Sequence, residues 1–166
     1  MNYKKNRLPV LIATTLSSFL TPLALSTVNV ALPSIGKEFS IDAIVLSWIA
    51  TAYILSAAIF LLPFGRLADM LGRKKVFIYG TFVFTVSSFL MGVSGGVETL
   101  IGYRVLQGIG GAMIFGTGIA ILISVFPLGE RGKVLGINVA AVYLGLSVGP
   151  FIGGLLTQHL GWRSTF

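Results

Sequence analysis

An all-α integral membrane protein with five transmembrane helices is the fold class this sequence predicts, and three observations carry the prediction. The chain of 166 residues is 55% hydrophobic and only 10% charged, with a mean hydropathy of +0.93. A soluble domain of that length needs far more polar surface. Several apolar stretches approach or exceed the roughly 20 residues that cross a bilayer. The cations gather in the short segments between those stretches, which is the pattern of membrane topology.

Span 1 is expected over about residues 8–32, with Pro33 ending it. Lys4, Lys5 and Arg7 precede it, as in a signal peptide. The apolar run of about 25 residues is longer than the 7–15 of a secretory h-region, and no small-residue cleavage site follows, so it reads as a retained span. Span 2 is expected over about 44–64, with Trp48 as an interface anchor near one end. Span 3 covers about 76–93. Span 4 covers about 100–126, ahead of Pro127, and carries Gly108, Ala112, Gly116 and Ala120 at every fourth position. Span 5 covers about 134–160, with Gly145, Gly149 and Gly153 at the same spacing. Small-residue ridges let helix backbones approach closely where water expulsion gives no drive. Pro150 follows Gly149 directly, so span 5 should kink or loosen there and slide against a partner.

The loop cations set an orientation. Lys4, Lys5 and Arg7, then Arg66, Arg73, Lys74 and Lys75, then Arg131 and Lys133 fall on one side, against only Lys37 and Arg163 on the other. The positive-inside rule places the N-terminus in the cytoplasm, and an odd number of spans leaves the C-terminus outside. This distribution also accounts for the net charge of +7 without a nucleic-acid partner. No internal repeat or long linker is visible.

Polar groups within the spans are the candidate functional residues. Arg104 lies about one turn into span 4, and Gln107 shares its face. Intramembrane ionisable groups face a cavity or a partner by default, which is favoured here over snorkelling to the headgroups. The hydroxyls of span 1 can bond back to carbonyls of their own helix. Asn29 has more polar atoms to satisfy and should face another helix or water. Tyr53 fits core packing or a cavity wall equally. His159, near a span end, reads as a surface residue. The carboxylates Glu38, Asp42, Asp69, Glu98 and Glu130 all fall in loops or at span ends, so none is available mid-membrane as a proton carrier. No cysteine, nucleophile–base pair, phosphate loop or metal-ligand cluster is visible, so no enzymatic activity, cofactor or metal is expected.

The motifs resemble a known family. "GRLADMLGRKKVF" is similar to the signature between spans 2 and 3 of major facilitator superfamily transporters. "RVLQGIGGA" resembles that family's span 4 signature, and "GLSVGPFIGG" the span 5 signature of its antiporters. "STVNVALPSI", "WIATAYILS", "FPLGERGKVLG" and "GWRSTF" resemble its fourteen-span drug:proton antiporters. The resemblance implies the N-terminal bundle of a multi-pass transporter in the cell membrane, exporting amphipathic small molecules against protons. It implies gating by Asp69 with Gly65, Gly72 and Arg73, the glycines permitting close approach to a helix of the other half. Asp69 would lie near a helix N-terminus, where the dipole favours it. The resemblance further implies coupling through Arg104 and a sliding face formed by Gly145, Gly149, Pro150, Gly153 and Gly154. Substrate is expected against Asn29, Tyr53, Arg104 and Gln107. Two departures stand out: Ala24 occupies the usual acidic position of span 1, and the chain ends where a sixth span should begin. They keep open a facilitator without proton coupling, a truncated fragment without transport, or a need for the missing C-terminal half or a partner subunit.

Overall fold

A computed structural model describes residues 7–166. Lys4 and Lys5 lie outside the described residues. Five long helices follow one another: α1 (Arg7–Phe39), α2 (Ala43–Leu71), α3 (Arg73–Gly92), α4 (Val97–Val125) and α5 (Leu128–Leu160). A 3-10 turn, Trp162–Thr165, closes the described chain, and no strand occurs among the described residues. All five helices are long and apolar enough to cross a membrane.

The helices run past the apolar runs that announce them. The 33 residues of α1 make a helix of about 50 Å at 1.5 Å per residue, against a hydrocarbon core of about 30 Å. Apolarity marks membrane depth, whereas helix ends are set by caps and turns. Pro33 therefore does not end α1: the helix continues through it to Phe39, and Pro22 also lies inside. A proline removes one backbone bond, but leaving helical geometry would expose several polar groups. The break comes at Ser40, whose φ is 50°. Asp42 then caps α2 by accepting from the Val45 amide at 2.8 Å. Between α2 and α3 stands Gly72 alone, at φ 97°, its amide donating to Ala68 O at 3.0 Å.

Helix α4 is the most buried of the five. It packs on α2 and α3, α1 pairs with α5, and α1 meets α4 to join the two groups. Small residues govern these contacts. A Cβ at Gly110 would lie 2.7 Å from the Phe84 amide of α3, and one at Gly108 would collide with Tyr53 and Ser56 of α2. Along α5, a Cβ at Gly149 would sit 2.5 Å from Ser26 Cβ, one at Gly153 2.8 Å from Thr27 Cα, and one at Gly145 would strike the Phe19 carbonyl. The expected ridge of α5 is thus seated on α1. Gly154 is outside it, its nearest neighbour being Val30 Cγ1 at 4.0 Å.

Hydroxyls join the same interfaces. Ser56 Oγ donates to Val105 O at 3.0 Å, tying α2 to α4. Asn138 Nδ2 donates to Ser18 Oγ at 3.0 Å, tying α5 to α1. Pro150 does not break α5, which remains α-helical through it. Proline lacks the N–H that would bond the carbonyl four residues earlier, at Leu146. Ser26 Oγ on α1 supplies a donor to that carbonyl at 2.9 Å. A neighbouring helix has replaced the missing bond, which is how prolines are accommodated in membrane helices.

At the end carrying the α1–α2 and α3–α4 loops, Val28, Ile35, Ile49, Met91, Leu100 and Trp162 form an apolar core. A polar clasp covers it. Glu38 accepts from Trp162 Nε1 at 2.6 Å and from Arg163 Nη1 at 2.7 Å. The guanidinium lies 4.3 Å from the Trp162 ring centroid and also donates to Ser94 O at 3.3 Å.

Candidate substrate cavity and gate

Two sites emerge, one inside the bundle and one on its surface. The inner site begins at Arg104, which the fourth helix carries between α2 and α3 and which has no solvent exposure. It therefore does not snorkel. Its Nη1 donates to Gln107 Oε1 at 2.6 Å, one turn along the same face. Gln107 Nε2 in turn donates to Ser88 Oγ of α3 at 2.7 Å, and Ser88 donates to Phe84 O at 2.9 Å. The Tyr53 and Phe166 rings both lie 5.5 Å from Arg104 Cζ. A guanidinium is attracted to an aromatic face, more strongly where water is excluded. Tyr53 can approach because Gly111 faces it: a Cβ there would sit 3.0 Å from the phenol oxygen.

The chain of bonds leads to a cavity of about 260 Å³ between α1, α3 and α5. Ser88 and Phe166 form the wall nearest Arg104, while Ala24 and Thr27 of α1 and Ile152 and Leu156 of α5 form the others. Of the four residues expected against substrate, Tyr53, Arg104 and Gln107 adjoin one another behind that wall, and none of the four lines the cavity itself. Asn29 does not join them: it is exposed on α1.

The surface site is the strap between α2 and α3. Asp69 accepts from Arg73 Nε at 3.2 Å and Nη2 at 3.1 Å, and Arg73 Nη1 donates to Ala120 O of α4 at 3.3 Å. Asp69 occupies the last turn of α2, not a helix N-terminus. The dipole of its own helix disfavours a carboxylate there, and Arg73 at the start of α3 compensates. Its side chain remains 66% exposed. Close approach does not explain the two glycines within this bundle, since a Cβ at Gly65 or Gly72 would meet nothing within 4 Å. Gly72 is required by its positive φ instead. Gly65 has open space in front of it.

Sequence reasoning missed Ser88, Ser26 and the Glu38 clasp. A helical serine carries no sign of whether it bonds within its helix or across to another. In α1, Thr14, Thr21 and Thr27 bond back along the helix, whereas Ser18 and Ser26 face α5.

Comparison with known proteins places this arrangement. Residues 14–166 match the Major Facilitator Superfamily. The chain is 38% identical over 162 residues to the riboflavin transporter RibZ of Clostridioides difficile, and 36% identical over 163 residues to the multidrug resistance protein Stp of Mycobacterium tuberculosis. It is 34% identical over 158 residues to the tetracenomycin C resistance and export protein of Streptomyces glaucescens. Those alignments use 98, 98 and 95% of this chain but 36, 30 and 29% of the relatives. The crystal structure of a bacterial homologue of the human lysosomal transporter Spinster, inward-facing and unoccupied, has the same fold. That likeness has a TM-score of 0.79 at 20% identity and covers all of this chain and 40% of the other. The chain belongs to the Major Facilitator Superfamily and is a multi-pass membrane protein corresponding to the N-terminal part of such a transporter. It spans about a third of the length of these curated relatives.

Proposed function

We propose that this bundle is the N-terminal part of a secondary exporter of amphipathic small molecules in the cell membrane, driven by proton entry. The observation that carries the reading is the buried path Arg104–Gln107–Ser88 ending at a cavity between helices. A lipid anchor has no use for a fully buried guanidinium, which is expensive in a membrane and marks a ligand or ion path. The relatives' names support export of multiple drugs and of an antibiotic.

In this reading the N-terminus is cytoplasmic. Arg66, Lys74, Lys75 and Lys133 are exposed at the end of the bundle that would then face the cytoplasm. The exposed Asp69–Arg73 strap and the open space before Gly65 form a gate latch that closes on helices outside this chain. Alternating access requires one bundle to rock against another, so the transporting unit includes a second bundle. Everted membrane vesicles from cells expressing the whole reading frame, energised with a proton gradient, should accumulate an amphipathic dye. A gradient-independent signal equal to that of empty vesicles overturns the reading.

One observation favours a second reading, facilitated diffusion without protons. Glu38, Asp42, Asp69, Glu98 and Glu130 all lie at helix ends or in loops, and Ala24 presents a methyl group to the cavity. Proton coupling through this bundle then has no interior carboxylate to use. Substrate addition to vesicles loaded with a pH-sensitive dye separates the two: a pH change on substrate entry rejects facilitation.

A further inference from the structure

Arg104 is a buried cation with donors to spare. Of its three nitrogens only Nη1 finds an acceptor, in Gln107. Nε and Nη2 are buried and have no hydrogen-bond partner among the described residues. The Tyr53 and Phe166 rings beside the guanidinium attract its charge, and neither residue supplies an oxygen or nitrogen acceptor to Nε or Nη2. The ion pairs of the described residues engage Arg7, Arg73 and Arg163, not Arg104. A desolvated guanidinium with open N–H groups is stabilised best by an oxyanion, whose two oxygens match the fork.

The cavity supplies a place for one. Ser88 holds Gln107, which holds Arg104, and Ser88 lines the cavity. Phe166 lies over the guanidinium and lines the same cavity. The facing walls, Leu20, Leu23, Ile152 and Leu156, are apolar. We propose that this cavity selects amphipathic oxyanions. The apolar body lies against α1 and α5, while a carboxylate, sulfonate or phosphate group displaces the Phe166 ring and bonds Nε and Nη2 of Arg104. The inference deepens the transport reading and rests on it, by naming the substrate class as anionic rather than cationic or neutral.

The test uses the protein made from its whole reading frame, in lipid nanodiscs, with tritiated 4-hexylbenzoate and its methyl ester as probes. The two differ by one charge, and binding to protein-free discs is subtracted. The acid should bind at least about tenfold more tightly than the ester, as expected for a charge-assisted pair. Arg104→Gln should reduce that preference to below about twofold, while Arg104→Lys should keep part of it. Ala24→Asp leaves Arg104 in place but puts a fixed negative charge into the cavity wall, which repels an anionic probe, and should abolish the preference as well. Equal binding of acid and ester, no binding of the acid, or a preference that survives Arg104→Gln overturns the proposal. Gradient-driven export without any acid preference overturns this inference alone. An acid preference without export in vesicles overturns only the transport reading.

Discussion

Gly72 joins two membrane helices by a single residue at φ 97°. Only glycine adopts that conformation without strain, and other residues pay about 1–3 kcal/mol for sparsely populated backbone regions. Gly72→Ala should therefore destabilise the bundle by about that amount, although a Cβ there has free space. Thermal unfolding followed by size-exclusion fluorescence measures the loss. Gly65 makes the contrast, because it is helical, has ordinary φ and also has free space. Gly65→Ala should leave the unfolding temperature unchanged or slightly higher, since alanine is the better helix former by roughly 0.5–1 kcal/mol. If the latch closes on a second bundle, the same variant should still slow export. An alanine at position 65 that transports at the wild-type rate would remove Gly65 from the gate.

At the scale of the helix, the interface between α1 and α5 concentrates the testable chemistry. Gly149 and Gly154 both belong to the span 5 signature, yet only Gly149 is in close contact. Gly149→Ala places a Cβ 2.5 Å from Ser26 Cβ and must push the helices apart, whereas Gly154→Ala meets its nearest atom at 4.0 Å. The first should cost about 1–3 kcal/mol of stability, the usual range for overpacking, and the second almost nothing. Equal unfolding temperatures for the two would contradict the seating of the ridge on α1. Ser26→Ala addresses the same interface differently. It keeps the Cβ but removes the donor to Leu146 O, the carbonyl that Pro150 cannot serve with an N–H of its own. The loss should be about 1–3 kcal/mol. Amide exchange should accelerate in the turn around Leu146 more than in the rest of α5. Uniform exchange along α5 in this variant would show that the bond does not hold the helix at its proline.

The same helices show how much a sequence discloses. Each helix is legible because its apolar run is long enough to cross a membrane, and the glycine ridges announce that close partners exist. Neither says which helix the partner is. The pairing of α1 with α5 joins Ser18 to Asn138 across 120 residues, and nothing in the local pattern of either segment encodes it. The continuation of α1 through Pro33 was hidden for a related reason. A local rule lets proline end a helix, yet a proline removes only one backbone bond, and α1 runs on through Pro33 to Phe39. In the candidate site, Arg104 and Gln107 were legible through their three-residue spacing. Ser88 was not, because its role depends on α3 lying beside α4.

For the whole molecule the central question is which end faces the cytoplasm. With Arg7 at one end of α1, alternate loops fall on the same side: the α2–α3 joint with the α4–α5 loop, and the α1–α2 loop with the α3–α4 loop. The first side carries Arg66, Arg73, Lys74, Lys75, Arg131 and Lys133, and the second Lys37 and Arg163. Moving such a basic set across the membrane is disfavoured, so the first side should be cytoplasmic. These 166 residues contain no cysteine, so a single cysteine placed among them reports its position by its labelling relative to the parent protein. Gly95 in the α3–α4 loop and Gly129 at the start of α5 are both exposed, and a side chain at either would meet no neighbour within 4 Å. In intact cells a membrane-impermeant maleimide should label Gly95→Cys and spare Gly129→Cys. After permeabilisation both should react to a similar extent. The reverse pattern in intact cells would invert the bundle. It would move the Asp69 strap to the outer face and overturn its proposed role as a cytoplasmic latch.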